Sequence, residues 1–86
     1  MKLFMKPIQV YALCRENGSF LPMAFCLETG GEKYKIAVLS VNSSREERQG
    51  GRKVIYYDCC IADHDQKRMV CLRYDIAEHC WHLYKA

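Results

Sequence analysis

The sequence predicts an all-β fold, a six-stranded antiparallel meander forming a small closed or partly open barrel, as one domain over residues 1–86. Three observations carry this. Apolar and polar residues alternate with period two along most of the chain. Short turn signals, Asn17-Gly18 and Gly30-Gly31 among them, cut the alternation at hairpin spacing. Turns on either side of one strand also send the same residues of that strand inward.

The elements follow in order. A two-residue type I′ turn at Asn17-Gly18 places Ile8, Val10, Ala12 and Cys14 opposite Leu27, Phe25, Met23 and Leu21. Gly30-Gly31 is the next such turn. It sets Leu27, Phe25 and Met23 against Tyr34, Ile36 and Val38, with Glu28 facing Lys33 on the other side. Across the following connection, Val38 is expected beside Tyr57 and Ile36 beside Cys59. A turn within Asp63–Lys67 pairs Tyr57, Cys59 and Ile61 with Tyr74, Leu72 and Val70, and puts Asp58 across from Arg73. A turn at Glu78-His79 brings Ile76 to Trp81 and Tyr74 to Leu83.

Every inward position is then apolar except Ser40, which a bulge near Leu39–Val41 would exchange for Val41. Strands 1 and 6 run antiparallel, so the sheet can close on itself. Pro22 is the misfit. It lacks an N–H in a strand with neighbours on both sides, and needs either a non-hydrogen-bonded site or a bulge.

Residues 43–52 read as the one long loop, a solvated hairpin tip. Ser43 with Glu46, or Ser44 with Glu47, has capping-box spacing that would allow a single helical turn ended at Gly50. Arg45, Arg48, Arg52 and Lys53 face only Glu46 and Glu47, so residues 43–53 carry +2 of the net charge of +3.

Composition bounds the function. Eighty-six residues are too few for a doubly wound nucleotide fold or a (β/α) barrel. With 50% hydrophobic and 12% aromatic residues the chain has a folding composition. The first residues hold no apolar run long enough for a signal peptide, and no window approaches the ~18 apolar residues of a membrane helix. The expectation is a cytoplasmic protein without membrane contact, its six cysteines reduced.

No constellation closes into a catalytic or metal site. His79-Cys80-Trp81-His82 is the most metal-like stretch, but it lacks a Cys-x-x-Cys pair, and the expected register sets Cys80 and His82 at another level from Cys60 and Cys71. Cys60 and Cys71 are expected across one strand pair, and Cys59 inward as inert packing. Cys80 with His82 lacks a third orienting group or an oxyanion donor. The reading is therefore a protein that is not an enzyme, with no cofactor and no metal.

Two surfaces remain. The outer face of strands 1 to 3 is apolar, with Leu13, Pro22 and Leu39 in one row, Tyr11, Ala24 and Ala37 in the next, and Cys26 and Val41 nearby. Unless Lys2–Met5 or the 43–52 loop folds over it, such a face meets a protein partner or a second copy of the chain. The outer face of strands 4 to 6 carries polar rows, Tyr56–Asp75–His82 and Asp58–Arg73–Tyr84, where a carboxylate beside an imidazole would raise its pKa. The alternative function is a nucleic-acid-binding accessory domain. It would use Arg45, Arg48, Arg52 and Lys53 with Arg73, Lys35 and exposed Tyr11, Tyr56 and Tyr84 as stacking platforms.

Lys6-Pro7-Ile8-x-Val10 at the start, the two-hairpin opening, the charged 45–50 segment and Cys80-Trp81-x-Leu83-Tyr84 at the end resemble small single-domain proteins common in Firmicutes. The chain is also loosely similar to short proteins found alongside error-prone DNA polymerases. The resemblance implies fold and size, and a link to DNA repair for the nucleic-acid alternative. It carries no established activity and no site residues.

Overall fold

The computed structural model describes residues 1–86 as six strands: β1 (Leu3–Cys14), β2 (Phe20–Thr29), β3 (Glu32–Gln49), β4 (Arg52–Asp63), β5 (Gln66–Asp75) and β6 (Cys80–Lys85). They bond in sequential order, and β1 pairs antiparallel with β6 to close the barrel. The core holds Phe25, Tyr57, Cys59, Ile61, Val70, Leu72, Tyr74 and Leu83. Aromatic rings pack together in the core, with Tyr74 tilted 4.7 Å from Trp81 and meeting Phe20 edge to face at 5.4 Å.

The expected β2–β3 register holds from Ala24 to Thr29, with Leu27 facing Tyr34, Phe25 facing Ile36 and Glu28 facing Lys33, but the expected Met23–Val38 pair does not form. Gly30 and Gly31 sit at φ 58° and 78°, the left-handed values a type I′ turn requires.

Elsewhere the turns fall differently. Asn17 does not take a left-handed conformation. Its Oδ1 accepts bonds from the Ser19 N–H at 3.0 Å and the Ser19 hydroxyl at 2.6 Å, while the Arg15 N–H reaches Ser19 O. The resulting wider loop pairs Cys14 with Phe20, and a bulge restores Tyr11 to Ala24. Met23 is the residue left unpaired. Between the loop and the bulge the faces exchange, because a one-residue slip turns every side chain over. Phe20 therefore packs against the core and Pro22 is buried, whereas Met23 is 50% exposed. The sequence assigned Leu21 and Met23 to the interior and Pro22 to the outside. The bulge that Pro22 demanded is what reverses them.

Residues 43–52 form neither a loop nor a helical turn. β3 runs on to Gln49, and Gly50-Gly51, at φ 58° and 80°, turns it back into Arg52. The β3–β4 register follows from that turn: Arg45 faces Tyr56, Ser43 faces Asp58, and two bulges leave Val38 opposite Ile61 rather than Tyr57. One bulge falls at Leu39, so Val41 packs inward and Ser40 stays exposed, as the polarity of Ser40 required.

The β4–β5 turn is His64-Asp65, both with positive φ, and the β5–β6 connection is 76–79. Both registers are displaced by two residues from expectation. Tyr57 meets Leu72, Tyr74 meets Trp81, Asp58 faces Cys71 and Arg73 faces His82. A shift of two keeps every side chain on its face, so the hydrophobic pattern cannot detect it. The expected Asp58–Arg73 and Cys60–Cys71 cross-strand pairs do not form; Cys60 faces Met69.

The molecule measures 37 × 25 × 21 Å. No helix of the structure is long and apolar enough to cross a membrane.

Candidate interaction surface

The outer face of β1–β3 presents Tyr11, Leu13, Met23 and Leu39, exposed by 51%, 53%, 50% and 52%. Ala37 is exposed beside them, and Leu13 faces half-buried Leu21. Two expected members drop out. Pro22 is buried by the face exchange, and Ala24, opposite both Tyr11 and Ala37, is only 6% exposed. Met23 takes their place, through a bulge whose position the alternation alone does not reveal. The face is uncovered. Leu3–Met5 belongs to β1, held on β6 by the Leu3–Lys85 pair, and 43–52 is the β3–β4 hairpin. Lys35 lies over the Tyr11 ring at 4.3 Å and marks the polar rim.

The outer face of β3–β6 is different. Val54, Tyr56 and Cys71 form a second buried cluster there, packed by Tyr84. Tyr56, expected as an exposed platform, is 2% exposed. The Arg45 guanidinium covers its ring at 4.6 Å, and the Gln49 amide donates to its hydroxyl at 2.6 Å. Around this cluster the charges satisfy one another. Arg45 pairs with Glu47 at 2.8 Å and Asp58 at 3.6 Å, Lys53 with Glu46 at 4.0 Å, and Arg52 with Glu78 and Asp75. Of the four expected nucleic-acid contacts only Arg48 has no carboxylate partner. The basic character read from the sequence is therefore largely neutralised within the hairpin and its neighbours.

Arg73 has no salt bridge. It donates to Gln49 Oε1 at 3.3 Å and sits 3.5 Å from His82 Nδ1. Burial, then the Arg73 charge, holds the His82 imidazole below its ordinary value. The raised imidazole expected from a neighbouring carboxylate is thus reversed: burial outweighs the raising effect of Asp75, and the two-residue register shift adds a cation opposite His82. Asp75 is held low by the Glu78 backbone N–H and then by Arg52, and its Oδ1 accepts from that N–H at 3.1 Å.

The thiols are spread out. Burial pushes Cys59 up to about 12 and Cys71 up to about 11, so neither is a thiolate at neutral pH. Cys80 is exposed and its thiol points to the Glu78 carbonyl at 3.3 Å, while His79 is engaged with the Tyr74 hydroxyl at 3.1 Å. No three His, Cys, Asp or Glu side chains gather in a metal-binding arrangement.

Compared with protein-family models, curated protein sequences and solved structures, the chain matches none.

Proposed function

We propose that the protein is a binding module without catalytic chemistry, docking a protein partner through the outer face of β1–β3. The observation that supports this most is the uncovered row Tyr11, Leu13, Met23 and Leu39, each about half exposed on neighbouring strands. A sheet with one wet face ordinarily carries polar residues there. The partner surface that fits is apolar at its centre, since the face itself has no charge between its rims. The protonated thiols of Cys59 and Cys71, which are not nucleophiles at neutral pH, support the non-catalytic part of the reading.

The test is a Leu13→Glu/Leu39→Glu variant, used as bait beside the wild type in nuclease-treated lysate of the source cells. The wild type recovers a protein in near-stoichiometric amount, and the variant, with an unchanged circular dichroism spectrum, does not. Equal recovery by both removes this face from the function.

The second reading, a nucleic-acid-binding accessory domain, rests on cation–aromatic pairs at the surface, with Lys85 over Tyr84 at 5.3 Å and Lys35 over Tyr11. Oligonucleotide binding that weakens with salt and is lost in Arg45→Ala/Arg48→Ala/Arg52→Ala supports it. No binding at low salt eliminates it.

A further inference from the structure

The barrel seam between β2 and β3 is short. β2 bonds to β3 only over Glu32–Ala37. From Val38 to Gln49 β3 is bonded to β4 alone, and no strand other than β2 and β4 touches it. A long stretch of β3 is thus an open edge, and its residues from Asn42 onward are exposed.

The tip of the hairpin tells which backbone groups line that edge. Around the two-residue turn Gly50-Gly51, Gln49 and Arg52 are the flanking pair, which exchanges hydrogen bonds. Bonded and non-bonded pairs alternate from there, and the register is unbroken back to Ser43. Ser43, Arg45, Glu47 and Gln49 therefore direct N–H and C=O to β4. Ser44, Glu46 and Arg48 direct theirs outward, where nothing in the chain takes them up.

We propose that a second copy of this chain adds its β3 to this edge, antiparallel, so that Glu46 faces Glu46 of the partner subunit across a two-fold axis. Ser44 then faces Arg48 of the partner subunit, and all the outward backbone groups of 44, 46 and 48 are paired. The closely spaced non-bonded positions between them set Arg45 against Glu47 of the partner subunit, twice by symmetry. These are opposite charges on the same outer face. The order Arg45-Glu46-Glu47-Arg48 selects this register. A shift of two residues one way puts Arg45 against Arg45 of the partner subunit at closest approach, and the other way puts Glu47 against Glu47 of the partner subunit. The one like pair left, at the axis, lies at the wider bonded spacing, with each Glu46 carboxylate 4.0 Å from its own Lys53. Charged side chains ordinarily discourage edge pairing, but here their order makes them complementary in this register, and the edge beyond the two bulges carries no proline or covering segment. This proposal does not depend on the apolar face of β1–β3.

Sedimentation velocity over a concentration series tests it, with Glu46→Pro and Glu47→Arg beside the wild type. Glu46→Pro removes an outward N–H that β4 does not use, and Pro is tolerated at such an edge position. The wild type is expected to dimerise, and each variant to weaken the dimer at least about tenfold. Arg45→Glu combined with Glu47→Arg restores it by exchanging the charges. Native hydrogen exchange gives a readout that needs no variant. The amides of Ser44, Glu46 and Arg48 slow as concentration rises, while those of Arg45 and Glu47, already bonded to β4, do not change. A wild type monomeric at every concentration overturns the proposal. So does a dimer that both variants leave intact, including one broken only by Leu13→Glu/Leu39→Glu.

Discussion

Replacing Met23 by alanine separates the bulged register of β1–β2 from an unbroken one. In an unbroken ladder Met23 points into the barrel beside Phe25. Truncating an interior Met removes its transfer free energy and leaves a cavity, costing about 2–5 kcal/mol. In the structure Met23 is turned out and 50% exposed. Full burial of such a side chain is worth about 1.5–3 kcal/mol, so half of it bounds the loss near 1 kcal/mol, and solvent fills the space without a cavity penalty. For a domain of this size 1 kcal/mol moves Tm by roughly 5 °C. Met23→Ala is thus expected to lower Tm by no more than about 5 °C, while Phe25→Ala, at a fully buried site, lowers it by about 15 °C or more. Thermal unfolding followed by circular dichroism, at a protein concentration low enough to keep the chain monomeric, reads both. A fall of more than about 10 °C for Met23→Ala would refute the bulge and return Pro22 to the outer face.

Two other outcomes follow from the site chemistry. Under native conditions at pH 8, Cys14 and Cys80 are expected to react with iodoacetamide within minutes, and Cys59 and Cys71 only after denaturation, as peptide mass mapping would show; rapid native labelling of Cys59 contradicts its place in the core. His82 is held below its ordinary value in the fold, so the unfolded chain binds its proton first. The stability this contributes is complete above about pH 6.5 and is lost as pH falls through the lower folded value. The urea midpoint of the wild type should accordingly drop more between pH 7.5 and 5.5 than that of His82→Gln, and parallel drops would assign the acid sensitivity to other groups.

The fold was legible wherever side chains differ between the two faces. Tyr57 and Cys59 flank Asp58, Leu72 and Tyr74 flank Arg73, and their inward placement survives every register change. The errors lie where that contrast is silent. A displacement by two residues along β5 and β6 costs no buried surface, so local turn chemistry at His64-Asp65 and at Asp75 decides it. Ser43–Gln49 is polar on both faces and carries no period at all, which is why its strand went unseen. Yet Gly50-Gly51 has the same composition as Gly30-Gly31 and would have revealed it. At the candidate surface Tyr11, Leu13, Ala37 and Leu39 were readable because their strands keep phase up to Leu39. Pro22 and Met23 were not, since one unpaired residue reverses them. The pairing of Arg45 with Asp58 and of Arg52 with Asp75 and Glu78 depends on registers that no single strand encodes.

The β1–β6 seam sets the order in which this molecule can form. Five of its six strand pairings join neighbours in sequence, but the seam brings Ile8 to Trp81 across nearly the whole chain. Closing so long a loop costs about 2.5 kcal/mol more entropy than closing a short hairpin, and nothing repays it until the strands between are in place. The hairpins thus assemble first and the ring shuts last, a slow non-local step in an otherwise local sequence of events. Trp81, the only tryptophan, stands on that seam and stacks on Tyr74. Its contact with Tyr74 forms with the β5–β6 hairpin and its pairing with Ile8 only when the ring shuts, so its fluorescence after dilution from urea reports both events.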